Sequence, residues 1–241
     1  MENVYNQISN YLFSNNSISN QKIEKQIKFW KGNGIITRVK RNQYIPTELT
    51  DKFRIACACV DNGILCYHAA LEYYLLQTQV FNILYVNSSK LFRDFTYQGI
   101  QYVYKPLNFI YKPLYVKYKD GYNIQVTSIE QTIIDCIYNI NLAGGIEELM
   151  YALYEVKGIH IKENDLMVCL NKYNKKSLYQ RAGYLLSPYK QKWNLSESFF
   201  DKCKSKSLGN VSYLINPYYC NKYDSQWNIC IPDNLESTLK I

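Results

Sequence analysis

The hydrophobic period of this chain changes near residue 127, and that change limits the folds open to it. From about residue 82 the apolar residues come in short β-branched and aromatic runs: Ile83 to Val86, then YQGIQYVYKPL and KPLYVKYKDGYNIQVT. Punctuated by Pro106, Pro113 and the Asp120-Gly121 pair, these runs predict about four strands in a mostly antiparallel sheet, with a tight turn at 120–121. After Thr127 the spacing becomes helical. Ile129, Ile133, Ile137 and Ile140 form one stripe, and Ile146, Leu149, Met150 and Leu153 form a second. Further helices are expected at about 163–172, 176–187 and 197–204, with one or two short strands near the end. Thr127 and Glu130 read as a capping box for the first of these helices. A sheet followed by a helical group is an α+β arrangement.

The first fifth of the chain has a different character. Val4, Ile8 and Tyr11 or Leu12 predict an amphipathic helix over about 2–13. Ser19 or Asn20 can cap a second helix, with Ile23, Ile27 and Trp30 on one face and Lys22, Lys25, Lys28 and Lys31 distributed over the rest. Glycine at 32 or 34 ends it. The stretch GIITRVKRNQYIP, residues 34–46, then predicts a strand, a basic turn and a return strand. Helix, helix and basic hairpin outline an abbreviated winged helix-turn-helix over 1–48. A larger C-terminal α/β domain, with the mostly antiparallel sheet and the helical group, follows over 49–241.

Charge supports a nucleic-acid role for the N-terminal part. The whole chain carries a net charge of +8. Residues 1–46 hold seven basic residues against Glu2 and Glu24, a net +5 and more than half of the excess. A lysine-bearing helix can lie in a major groove while Lys40 and Arg41 at a hairpin tip reach backbone phosphates and release counterions.

Catalysis has little support. Only two histidines, His68 and His160, are present, and no nucleophile elbow, phosphate-binding glycine loop or paired zinc-ligand helix occurs. Glu155 and Lys157, with Asp135 upstream, imitate the acid and E-x-K order of some nucleases, but on a helical pattern instead of a strand. Cys57, Cys59, Cys66 and His68 do not have the spacing of a zinc knuckle, and the eight cysteines read as reduced core residues. No metal or cofactor is expected. The N-terminus lacks the basic flank and apolar stretch of a secretory signal, and no apolar run approaches a membrane span, so a cytoplasmic, non-membrane protein is expected.

Four segments in order resemble the AbiEi-type antitoxins, regulators found beside nucleotidyltransferase-like toxins. GIITRVKRNQYIP is similar to that family's basic hairpin, CYHAALEYYLL to its S-H-x-x-A-L segment, VTSIEQTIIDCI to its V-T-x-x-E-x-T helix start, and LYQRAGYLL to its R-x-G-Y-L-L helix. The similarity spans roughly residues 20–190. It implies a repressor and antitoxin without catalysis, which binds double-stranded DNA at its own promoter and counteracts such a toxin. By the same likeness Arg38, Lys40, Arg41 and Tyr44 belong to the DNA-contacting wing. His68, Thr127, Glu130, Asp135, Arg181 and Tyr184 fall on motif positions of the antitoxin domain. An ion pair between Asp135 and Arg181 is expected. The alternatives are a module binding RNA or an acidic protein, and a degenerate nuclease.

Overall fold

A computed structural model describes residues 20–41, 43–156, 160–207, 209–233 and 235. The helix expected over 2–13, the turn residue Asn42 and Lys157 of the E-x-K pattern lie outside the described residues. Among those described, the chain is mixed α+β, with eight α-helices, a six-stranded sheet and two smaller sheets. They group into two compact units whose segments interleave along the sequence. The first takes residues up to Leu65 together with Phe81–Pro106 and Pro113–Val126; the second takes Cys66–Val80, Leu107–Lys112 and the chain from Thr127 onward.

In the first unit, helix α1 (Asn20–Gly32) leads into the antiparallel hairpin β1 (Ile36–Lys40) and β2 (Gln43–Pro46). The end of α1 is fixed by its own backbone. Gly34 adopts φ +68° and donates to the Lys31 carbonyl, while Ile35 donates to the Trp30 carbonyl. This pair of bonds is a Schellman motif, and only glycine enters that conformation without steric cost. The motif's hydrophobic contact is present as well: Ile27, Ile35 and Tyr44 pack around buried Trp30 and Ile36. That small core joins helix to hairpin. A helix-turn-helix is not evident among the described residues, because α1 passes directly into the hairpin.

Helix α2 (Lys52–Ala58), capped by the Asp51 carboxylate on the Arg54 N–H, packs on the large sheet. The sheet holds β3 (Ile64–Leu65), β4 (Ile83–Asn87), β5 (Phe95–Tyr97), β6 (Ile100–Tyr104), β7 (Leu114–Val116) and β8 (Ile124–Val126), in the order β5-β6-β4-β3-β8-β7. It is mixed: β6 runs parallel to β4 and β8 parallel to β3, while the other three pairs are antiparallel. Antiparallel pairs are the majority, and the two parallel ones arise because the second strand of each local hairpin, not the first, inserts beside an older strand. The turn expected at Asp120-Gly121 is present, with Gly121 at φ +81°. The junction expected at 48/49 does not separate the two units, since α1 and the hairpin group with the sheet.

The second unit is the helical group. It contains α3 (His68–Tyr73), α4 (Ile129–Tyr138), α5 (Ile146–Glu155), α6 (Glu163–Tyr173), α7 (Lys176–Leu186) and α8 (Glu197–Ser207). A three-stranded sheet follows: β9 (Ser212–Tyr213), β10 (Lys222–Asp224) and β11 (Ile229–Ile231), in the order β10-β11-β9. All nine residues Ile129–Ile137 of α4 are buried, so this helix is enclosed on every side. Gly183 of α7 lets the buried Trp227 ring lie directly on the helix: a Cβ there would stand 2.1 Å from a ring carbon. No described helix is long and apolar enough to cross a membrane.

Candidate nucleic-acid interface

The cations expected to face DNA divide into two groups. Lys25, Lys28 and Lys31 recur every three residues along α1, and all three are exposed, as are Arg38 and Arg41 of the hairpin. Lys22 stands in the first turn of α1. Glu24 is the only acidic residue between positions 20 and 47. Helix and hairpin therefore offer a run of cations with little local neutralisation, on two elements that share one core. Phosphate contacts need cations held at a fixed mutual spacing, and a shared core provides it.

Lys40 and Tyr44 behave differently. The Lys40 ammonium lies 4.7 Å from the centroid of the Phe95 ring and 5.2 Å from that of Phe92. It is partly buried, and burial lowers its pKa, while Cys59 and Asp61 act in the opposite sense. Its register partner across the hairpin, Gln43, donates to the Ala58 carbonyl at 3.4 Å. Tyr44 packs into the Trp30 and Ile36 core. Arg38, in register with Tyr44, remains exposed and donates from Nε to the Lys40 carbonyl at 3.2 Å.

The motif positions of the helical group are turned inward. His68 is buried at the start of α3, with Nε2 3.8 Å from Oε1 of Glu148, itself a buried carboxylate. Glu148 also accepts from the Thr78 N–H at 2.7 Å and from the Thr78 hydroxyl. Thr127 does not cap α4: its hydroxyl shares a 2.7 Å bond with that of Thr132, and Ser128 caps the helix by accepting from the Gln131 N–H. The capping position therefore falls one residue later than expected. Glu130 is buried and accepts from the Lys162 N–H at 3.0 Å. Tyr184 is half-buried on α7.

Asp135 and Arg181 do not form the expected ion pair. Asp135 is wholly buried; the Tyr173 hydroxyl donates to its Oδ1 at 2.6 Å and the Gln131 amide to its Oδ2 at 3.2 Å. Burial pushes its carboxyl up to about 7, against the pull of those two hydrogen bonds. Arg181 spends its guanidinium on backbone carbonyls instead, donating to Tyr213 at 2.9 Å and Tyr138 at 3.4 Å.

Several residues that organise this unit gave no functional signal in the sequence. The Gln131 amide donates to the Phe109 carbonyl and accepts from the Tyr111 N–H, both at 2.8 Å, and so holds the segment 107–112 as a neighbouring strand would. Asp165 completes the hold by accepting from the Tyr111 hydroxyl at 2.8 Å and the Lys112 ammonium at 2.9 Å. Its carboxyl is pushed up by burial, but these bonds prevail and hold it below the usual value. A shallow cavity of 420 Å³ opens beside them, lined by Lys112, His160, Lys162, Glu163 and Trp193 among others. Glu163 is already engaged with the Ser196 N–H and hydroxyl.

Among the described residues no three His, Cys, Asp or Glu side chains converge as metal ligands would. Burial raises the Cys57 and Cys59 thiols to about 12, so both stay protonated at neutral pH. Comparison of the sequence with protein-family models found no match, and comparison with curated proteins found no similar sequence.

Proposed function

We propose that this chain is a DNA-binding regulator that contacts the duplex through α1 and the β1–β2 hairpin. The observation that carries the reading is the exposed set Lys25, Lys28, Lys31, Arg38 and Arg41, mounted on a helix and hairpin that share the Trp30 and Ile36 core. The four-segment resemblance extends the proposal: the chain represses its own promoter and serves as the antitoxin to a nucleotidyltransferase-like toxin, without catalysis.

Fluorescence anisotropy on the DNA upstream of the coding sequence, against a scrambled duplex, tests the first part. The wild-type protein binds the upstream duplex more tightly, and its affinity falls steeply with salt. Replacing Lys28 and Arg41 by alanine flattens the logarithmic salt slope by roughly 0.9 for each phosphate that is no longer neutralised. Equal binding to both duplexes, or a salt slope that the double variant leaves unchanged, rejects the reading. Coexpression with a nucleotidyltransferase-like toxin tests the antitoxin part, with restored growth as the expected result.

A further inference from the structure

Lys40, at the tip of the basic hairpin, is partly buried against the protein instead of standing fully in solvent. Lys40 ends β1, and its ammonium sits over two aromatic rings at 4.7 and 5.2 Å. Those rings are themselves held. Phe95, on the edge strand β5, stacks on buried Tyr102 with centroids 4.7 Å apart and planes 10° from parallel. Phe92 meets Tyr104 edge-on at 5.5 Å. A cation over the face of such rings is attracted by their quadrupoles, and more strongly when water is partly excluded.

The hairpin's geometry makes the contact directional. Lys40 and Gln43 are register partners, and side chains directly opposite one another point to the same face of a two-stranded ribbon. Both reach the rest of this unit, Lys40 to the β5 edge and Gln43 to the Ala58 carbonyl at the end of α2. The tip is thus fastened at two points, while Arg38 and Arg41 remain exposed.

We infer that Lys40 is a positioning residue and not a phosphate contact: its ammonium, seated on Phe92 and Phe95, fixes the hairpin to the sheet edge and so sets where Arg38 and Arg41 stand. The DNA half of this statement rests on the proposed function; the attachment of the hairpin does not. Charge without burial would serve a phosphate, and burial without charge would serve a core. Lys40 has both, which suits a cation held by rings.

Two measurements on the full chain test it. Amide hydrogen exchange of residues 36–46 reads the attachment. Lys40→Met keeps most of the apolar stem of the side chain and removes the charge, and Phe92→Leu with Phe95→Leu removes the rings. Either change raises exchange there by about tenfold, whereas Lys40→Arg, which also stacks on rings, stays within about twofold of the wild type. DNA binding reads the role. Lys40→Met weakens affinity for the upstream duplex by about fivefold with the salt slope unchanged, while Arg41→Ala lowers that slope by about 0.9. A slope lowered equally by Lys40→Met would make Lys40 a phosphate contact and overturn the inference. Exchange unchanged in both the Lys40→Met and the ring variants would overturn the attachment. If the wild-type protein binds neither duplex, the proposed function and the DNA role fall together, and exchange alone decides the attachment.

Discussion

In the hairpin the partly buried charge is Lys40, met by two aromatic faces, and its neighbours Arg38 and Arg41 stand in solvent. In the helical group Asp135 is one of several buried carboxylates and the most deeply buried of them, met by a phenol and an amide on a helix whose residues Ile129–Ile137 are all buried. The rings attract the Lys40 cation through their quadrupoles, while its partial burial lowers its pKa. Asp135 has only neutral hydrogen-bond donors against its desolvation, so its charge is held weakly. Arg38 and Arg41 of the hairpin are exposed, whereas His68, Thr127, Glu130 and Asp135 of the helical group are buried. A mutational scan of the two regions should separate them: binding changes without unfolding in the first, unfolding in the second.

The largest expected effect lies with Asp135. Its folded-state pKa is raised from 3.8 to about 7, so the folded protein binds this proton more tightly than the unfolded chain does. The resulting stabilisation is complete below pH 4 and is lost as pH rises through 7. Between pH 5 and pH 8 the group should remove roughly 3 kcal/mol of stability. Urea unfolding at the two pH values would measure the loss, and Asp135→Asn, which keeps the acceptor for Tyr173 but does not titrate, should abolish most of it. A pH dependence identical in variant and wild type would mean that Asp135 is far better solvated than its burial suggests.

Two glycines sharpen the contrast at somewhat smaller cost. Gly183 is needed for space, because three carbons of the Trp227 ring lie within 2.4 Å of where a Cβ would be. Gly183→Ala should destabilise by about 2 kcal/mol through overpacking. Gly34 has nothing within 4 Å of its Cβ position but holds φ +68°. Gly34→Ala should cost about 1 kcal/mol through backbone conformation alone. Gly34→Asn, which enters that region more readily, should recover part of the loss, whereas Gly183→Asn should be worse than alanine. Thermal unfolding of the four variants checks this ordering.

The helical group's outline is legible in the sequence because isoleucine and leucine spacing marks α4 to α7; in the sheet unit the Asp120-Gly121 pair marks the turn between β7 and β8. Burial is less legible there. Asp135 lies off the stripe of Ile129, Ile133 and Ile137, which predicts a solvent-facing position for a helix with one covered side. α4 is covered on all sides, and periodicity cannot distinguish a second buried face made of polar residues. Strand direction was hidden for a related reason: local runs and turns reveal hairpins, not which older strand receives them. The seat of Lys40 could not be read at all, since Phe92 and Phe95 lie more than fifty residues away with nothing local to tie them to it.

Arg181 gives the smallest expected effect and the most direct test of motif against structure. It falls on a motif position of the segment LYQRAGYLL, whereas its contacts are the carbonyls of Tyr213 and Tyr138, which tie α7 to β9 and to the end of α4. Burial lowers its pKa, with Cys220 and Tyr138 acting in the opposite sense, yet a guanidinium remains charged throughout the physiological range. Arg181→Ala should therefore cost about 1 kcal/mol, the net value of partly exposed bonds to neutral acceptors, and leave DNA affinity unchanged. Lysine should not restore the loss, because a single ammonium cannot span two carbonyls in the manner of a planar fork. Unchanged stability combined with failure to restore growth beside the toxin would reverse the assignment. Arg181 would then belong with Arg38 and Arg41 as a contact residue, and the helical group would no longer be a purely supporting structure.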